Sequence, residues 1–230
     1  MSGIEDEIGQ DPSPAPGVME AAYGRLRGEI LAGTLGPGTR LKLDGLRDRY
    51  GASVNTLREA LSRLLADGLV QSEGQRGFTV VPASLADLHD ITEVRCLLEC
   101  EAARRSLARA DLEWEARLVG AYHKLSRVET IVDENRERWG GRLEDYNREF
   151  HAALISACGS RWLLHLFGTM YDQSLRYRML SLQTAAFPRE QSRREHRELL
   201  DAALARDAET VCRVLQVHIT KGLELYEALK

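Results

Sequence analysis

From Val54 to Asp67 the apolar positions recur every three or four residues: Leu57, Ala60, Leu61, Leu64 and Leu65. That spacing predicts an amphipathic helix whose other face carries Asn55, Arg58, Glu59, Ser62 and Arg63. Ser53 stands at the N-cap position, where its hydroxyl can accept from a free backbone N–H of the first turn. A shorter helix is predicted over Asp44–Tyr50, with Gly51-Ala52-Ser53 as the tight turn between the two. Gly68 ends the longer helix. Two short β-type runs follow, Leu69–Ser72 and Phe78–Val81, flanking a turn that Gly74 and Gly77 permit. Upstream, a helix over Val18–Ala32 turns Leu26, Ile30 and Leu31 inward, so that Leu26, Ile30 and Leu46 can pack under the stripe. Gly33–Gly38, with Pro37, forms the loop between. This is the pattern of a helix-turn-helix with a β-wing.

After Pro82 the period changes. Ser84 and Asp87 form a variant capping box, and helix follows helix: about 85–109, 111–138, 142–158, 160–183, 189–206 and 208–228. Asp111 and Ser160 are expected caps; Gly140-Gly141, Gly159 and Pro188 are expected breaks. No convincing strand is found in this half. Amphipathic helices with short connections imply an antiparallel bundle. The fold expected is therefore mainly α: an N-terminal winged helix-turn-helix at 18–82 and a C-terminal antiparallel all-α bundle at 83–230. Residues 1–17, polar and with three prolines, are expected to be a disordered tail.

The 230-residue chain has a net charge of −4, which by itself does not point to nucleic acid. Its distribution matters more. Residues 18–82 hold nine Lys or Arg against seven Asp or Glu, whereas the tail has four acidic residues and no basic one. The basic residues must therefore lie on one face to act. The four cysteines, Cys96, Cys100, Cys158 and Cys212, form no Cys-x-x-Cys pair, which argues against a structural zinc finger. Small, buried, reduced thiols are the favoured reading over a redox switch. With no secretory signal and no apolar run of spanning length, a cytoplasmic location and no membrane partner are expected.

A recognition helix presents its N-terminal residues to base edges in the major groove. Here these are Val54, Asn55, Thr56 and Arg58, following Ser53. Arg can fork onto guanine and Asn onto adenine; Arg58 could equally hold a phosphate, which positions without specifying. Arg63 lies on the same polar face. Arg76, beside Gly77 at the wing tip, could enter a minor groove or meet phosphate.

Residues 23–81 resemble the N-terminal domain of the GntR family of bacterial transcription regulators. The residues that carry the likeness are Ile30-Leu31-Ala32-Gly33-Thr34-Leu35-Gly36-Pro37-Gly38-Thr39-Arg40-Leu41, Leu57-Arg58-Glu59-Ala60-Leu61-Ser62-Arg63-Leu64, Asp67-Gly68-Leu69-Val70 and Arg76-Gly77-Phe78. The family usually begins its recognition helix with a basic residue, Thr and Pro, where this chain has Val54, Asn55 and Thr56. The family's Leu-Ala in the short helix is Leu46-Arg47 here, which adds Arg47 as a phosphate contact.

In the second half, three histidines lie on apolar stripes of separate helices. His151 precedes Leu154, Ile155 and Cys158; His196 precedes Leu199, Leu200 and Ala203; His218 follows Val211, Val214 and Leu215. A single such histidine is more often a satisfied core residue. Three buried imidazoles need partners, and one divalent cation would serve all three. Zinc is the first choice; nickel, cobalt or a similar metal also suits imidazole. Asn147, four residues before His151, shares its face and is the favoured fourth ligand. Asp145 falls on the wrong side, and Glu144 faces correctly but lies two turns away. His89, His123 and His165 share no clear apolar stripe and read as surface or lining residues.

Residues 86–225 in turn resemble the FCD domain, the effector-binding module of the FadR-like subgroup. The likeness is carried by Glu93-Val94-Arg95 with Leu98-Glu99, Asn147-Arg148-Glu149-Phe150-His151, Glu195–Ala202 and His218-Ile219. It implies that the three histidines, with the residue at position 147, bind a divalent metal that holds a small carboxylate. Many members have Asp at that position, so Asn147 removes a negative charge. Members that lack the histidines bind acyl-CoA; this chain has all three.

An anionic effector needs cations. Arg95 is one candidate, with an ion pair to Glu99 as its alternative role. Tyr171, Arg176 and Arg178 lie on a helix expected to line the cavity; the two arginines point opposite ways, so at most one faces inward. These residues suggest a homodimeric DNA-binding regulator, more often a repressor in this family, that meets a pseudo-palindromic operator and answers a small organic acid. The rivals are a metal-dependent hydrolase or lyase and a constitutive DNA-binding dimer. No His-Glu-x-x-His motif or nucleophile elbow supports an enzyme.

Overall fold

The computed structural model describes residues 17–72, 74, 77–132, 136–182 and 189–227. Positions 1–16 of the expected tail, Arg76 at the wing tip and the expected break at Pro188 lie outside the described residues. Two compact units form, one from the residues through Glu29 with Thr39–Val81, the other from Ile30–Gly38 with Pro82 onward.

The first unit begins with α1 (Val18–Leu31), β1 (Arg40–Leu41), α2 (Leu43–Tyr50) and α3 (Val54–Ala66), followed by β2 (Val70–Ser72) and β3 (Phe78–Val80). Ser53 caps α3: its hydroxyl accepts from the Thr56 amide at 3.2 Å. Gly51 ends α2 at φ 63°, a left-handed conformation that a Cβ would strain. Leu57, Ala60, Leu61 and Leu64 are fully buried, as is Leu26 of α1, and Leu46 of α2 is buried. Each fully buried leucine contributes about 1.5–3 kcal/mol.

Leu65 departs from the expected stripe and is 42% exposed. At about 100° per residue it sits roughly 80° round the helix from Leu57, at the edge of the apolar face. Polar ties fix α1 against α2 and α3. Tyr23 Oη donates to Asp67 at 2.7 Å, and Tyr50 Oη donates to Glu29 at 2.7 Å. Arg63 pairs with Glu20 at 2.6 Å and stacks over the Tyr23 ring.

The wing is a three-stranded antiparallel sheet in the order β1-β3-β2. Leu41 pairs with Phe78, and Val70 with Val80. The strand β1 was not expected from the sequence. Two residues give no period to read, and the pairing with β3 supplies what local pattern cannot.

The second unit is a helical bundle: α4 (Leu85–Leu107), α5 (Leu112–Ile131), α6 (Arg136–Ile155), α7 (Arg161–Leu182), α8 (Arg189–Leu204) and α9 (Ala208–Glu227). Ser84 and Asp111 cap α4 and α5 through the amides of Asp87 and Trp114. The helix α4 lies along α9 and α7, while α5 lies along α6 and α8. Trp114, Leu118, Leu125, Phe150, Leu154, Tyr171, Leu199 and Leu215 fill the space between them, all fully buried.

One expected break is corrected. Gly140 and Gly141 lie inside α6, and the chain breaks earlier, at the Val132 C-cap of α5. Two helical glycines cost about 1 kcal/mol each. The inward row of Tyr146, Asn147, Phe150 and Leu154 that follows them outweighs that cost. No strand occurs in this unit among the described residues.

Candidate metal centre

All six bundle helices send side chains to one polar cluster. Asn147 and His151 come from α6, His196 from α8 and His218 from α9. The candidate ligand atoms of the three histidines all lie within 4.8 Å of one another. The His151 ring stacks on His218 at 5.3 Å between centroids, and His196 lies 4.6 Å from His218. His151 and His196 are buried, and His218 is nearly so.

A carboxylate orients each ring. His151 Nδ1 lies 3.0 Å from Glu99 Oε2, His196 Nδ1 lies 2.7 Å from Glu129 Oε1, and His218 Nδ1 lies 2.8 Å from Glu195 Oε2. A carboxylate at Nδ1 requires the proton there, which leaves each Nε2 with a lone pair. Burial lowers the His151 pKa, against the opposing pull of Glu99. Burial also holds His218 well below the usual imidazole range, reinforced by His196 and His151. A neutral imidazole with its Nε2 lone pair available is the form that binds metal.

His151 Nε2 is buried and has no hydrogen-bond partner among the described residues. An orphaned acceptor facing two more imidazoles is what a cation would satisfy. Carboxylates on the far nitrogen are the usual outer support of such a site. Nitrogens ~2.1 Å from one tetrahedral ion stand about 3.4 Å apart, so rings whose ligand atoms lie within 4.8 Å of one another would draw together by at most about 1.4 Å to share it. The residues present therefore fit a divalent metal.

The surrounding charges are paired. Glu99 Oε1 accepts from Arg95 Nε at 2.8 Å and lies 2.6 Å from Arg95 Nη2. Burial pushes Glu99 up, but Arg95 and His151 outweigh it and hold the carboxyl at about 2. Arg95 also donates to Ser174 Oγ at 2.9 Å, so the ion pair with Glu99 and a place at the cavity coexist. Glu195 binds Lys221 as well as His218.

Of Arg176 and Arg178 on α7, Arg178 faces inward. It pairs with Glu144 and donates to Tyr171 Oη at 3.0 Å. Burial, with Arg95 nearby, lowers its pKa to about 9. Arg176 is buried on another side, against Asp87. Tyr171 is fully buried and its hydroxyl meets Asn147. A cavity of about 70 Å³ opens here, bordered by Thr92, Arg95, Asn147, Ser174, Arg178, His196, His218 and Lys221. One water needs ~10–15 Å³ by the same measure, so a small anion or several waters fit.

Helical spacing singles out neither Glu129 nor Lys221, and it offers Glu99 only as a partner of Arg95. Glu99 lies on α4 and Glu129 on α5, away from the imidazoles in sequence, so spacing carried no signal for either. Asp145 is exposed, whereas Glu144 is buried on Arg178. His89, His123 and His165 are exposed.

On α3, Asn55 and Arg58 are exposed, and neither side chain has a partner among the described residues. Thr56 is half-buried, its hydroxyl 2.9 Å from Ser53 Oγ. Arg47 pairs with Asp48 at 3.0 Å on an exposed face of α2. Arg63 is turned to Glu20 and Tyr23 of α1. Gly77 turns the wing at φ 99°.

A winged helix-turn-helix joined to a helical bundle of this kind is the build of a transcriptional regulator. Residues 19–80 match the bacterial regulatory proteins of the gntR family, and residues 90–221 match the FCD domain. The chain belongs to the GntR family and carries an FCD domain; its relatives are transcriptional regulators, not enzymes. It is 42% identical over 225 residues to the HTH-type transcriptional regulator BphR of Paraburkholderia xenovorans (strain LB400), covering 96% of this chain and 91% of that one. It is 31% identical to the HTH-type transcriptional repressor GlaR of Escherichia coli (strain K12), covering 89% and 94%. The solved structure of Escherichia coli McbR/YncC has the same fold, with a TM-score of 0.76 at 21% identity over 94% of this chain and 100% of that one.

The Arg95–Glu99–His151 chain is buried, so removing its central carboxylate leaves Arg95 and His151 short of a partner. Glu99→Ala should destabilise the bundle by about 3–5 kcal/mol, read as a lower urea midpoint. Asp201→Ala, which breaks the exposed pair with Arg197, should leave the midpoint unchanged. Equal midpoints for both variants and the parent would contradict the reading of the cluster.

Proposed function

We propose that the protein is a cytoplasmic, homodimeric repressor whose operator affinity is set by a small carboxylate held at a divalent metal in the FCD domain. The observation that carries this is the orphaned, buried Nε2 of His151 beside two more imidazoles whose Nδ1 atoms are held by carboxylates. His151, His196 and His218 would hold the ion, with Asn147 as the fourth protein ligand. Zinc is the first choice, and nickel also suits three nitrogens. The ion supplies a positive anchor for the carboxylate.

Charge supports an anionic ligand. Around the cavity the carboxylates of Glu99, Glu129, Glu144 and Glu195 face the cations Arg95, Arg178 and Lys221, all largely buried. A divalent ion turns that surplus of one negative charge into one positive charge, which a monocarboxylate balances. Arg178 and Arg95 border the space the carboxylate would fill. Tyr171 fixes Arg178, and Arg176 supports α7 against α4 through Asp87. The kinship with GlaR, named a repressor, supports repression.

Two winged domains of a dimer would read half-sites of a pseudo-palindrome about one helical turn apart, roughly 34–36 Å. Asn55 and Arg58 have free polar ends for base edges or phosphate. Ser53 and Thr56 hold the start of α3, and Arg47, Arg76 and Gly77 would meet the backbone beside it. Arg63 contributes by bracing α3 on α1. The carboxylate must bind one arrangement of the dimer better than the other, or operator affinity does not change.

Arg58→Ala should weaken operator binding roughly tenfold while the dimer persists, measured by fluorescence anisotropy on labelled operator. Unchanged binding at moderate salt would remove Arg58 from the interface. The double variant His151→Ala, His218→Ala should lose both its metal and the carboxylate response yet still bind operator. A preserved carboxylate response in that protein would refute the metal-anchored sensor.

A further inference from the structure

The Asn147 carboxamide lies between His196 on one side and Tyr171 with Arg178 on the other. Two orientations, related by a half-turn, fill the same space. With Oδ1 toward His196, Nδ2 donates to Tyr171 Oη at 2.8 Å, but it also faces the Arg178 guanidinium, donor against donor. With the ends exchanged, Nδ2 donates to His196 Nε2 at 3.0 Å. Oδ1 then accepts from Tyr171 Oη at 2.8 Å and from Arg178 Nη2 and Nη1 at 2.8 and 3.0 Å. The second orientation matches every polar atom, and it agrees with the His196 tautomer, whose Nδ1 proton is held by Glu129.

This arrangement opposes metal binding. The Asn147 NH2 occupies the lone pair that His196 must offer to an ion. Its oxygen, the one atom of the amide able to coordinate, is engaged by a buried guanidinium through charge-assisted hydrogen bonds. Turning the oxygen to the imidazoles frees His196 Nε2 and sets the NH2 against Arg178.

We propose that Asn147 is a two-position latch that makes metal and carboxylate binding cooperative. It caps His196 while Arg178 holds its oxygen, and it yields that oxygen to the imidazole cluster when an anion takes its place on Arg178. The inference rests on the metal reading above and adds the source of coupling. Aspartate at this position would have no such choice, because it offers an oxygen to each side and no donor to set against Arg178. The cavity supplies the space, since Asn147, Arg178, His196 and His218 all border it. Linkage makes the effect reciprocal: the carboxylate raises metal affinity by the factor by which metal raises carboxylate affinity.

The test is calorimetric titration of nickel chloride into the chelator-stripped full-length chain, with and without sodium acetate. The parent protein should bind nickel roughly tenfold more tightly in acetate. Asn147→Asp should bind nickel more tightly than the parent without acetate and change by less than about threefold on its addition. Equal parent affinities with and without acetate overturn the latch while leaving the metal reading intact, and this comparison needs no variant. An acetate effect of the same size in Asn147→Asp also overturns it, because the coupling would then bypass the amide. If neither protein binds nickel under either condition, while both remain folded by circular dichroism, the metal reading falls and the latch falls with it.

Discussion

Three hydrogen bonds govern the chemistry of the bundle: Nδ1–H of His151, His196 and His218 donating to Glu99, Glu129 and Glu195. Each fixes a tautomer, and each thereby aims a lone pair into the same small volume. Without the carboxylates, buried imidazoles could rotate or swap protons to satisfy themselves. With them, the three Nε2 atoms face one another; Asn147 caps that of His196, and His151 Nε2 has no partner among the described residues.

The fold is arranged to keep those bonds in place. The carboxylates come from α4, α5 and α8, the imidazoles from α6, α8 and α9, and the arginine nearest the amide from α7. The centre thus depends on all six helices being packed, and Trp114, Phe150 and Tyr171 fill the gaps beside it. Such coupling of a polar centre to the packing of its carriers is how a small ligand can act on a large element, because packed interfaces switch between discrete arrangements rather than deform smoothly.

Much of this was legible in the sequence, for a physical reason. Long amphipathic helices announce themselves by period, and α3, α4, α8 and α9 fell within a few residues of expectation. Histidines on an apolar stripe face inward, and that pattern alone marks out His151, His196 and His218. What failed was local signal competing with tertiary support. Gly140-Gly141 looked like a break, but the stripe that follows carried the helix through. The two-residue strand β1 was invisible because its partner lies far along the chain. Glu129 escaped because an acidic residue late in a helix looks like solvated surface until its neighbours are known. The roles of Arg176 and Arg178 could be narrowed by their opposite directions, but which one meets the cavity depends on how α7 is rotated in the bundle. The orientation of the Asn147 amide depends on hydrogen-bond partners on three other residues, and no spacing encodes that.

The central claim is that three imidazoles share one ion. X-ray absorption at the metal edge of the zinc- or nickel-loaded protein tests it most directly. The account predicts a first shell of light atoms at ~2.0–2.1 Å with the outer-shell scattering of about three imidazole rings, lost together in His151→Ala, His218→Ala. A shell of water and carboxylate oxygens without imidazole scattering would contradict it.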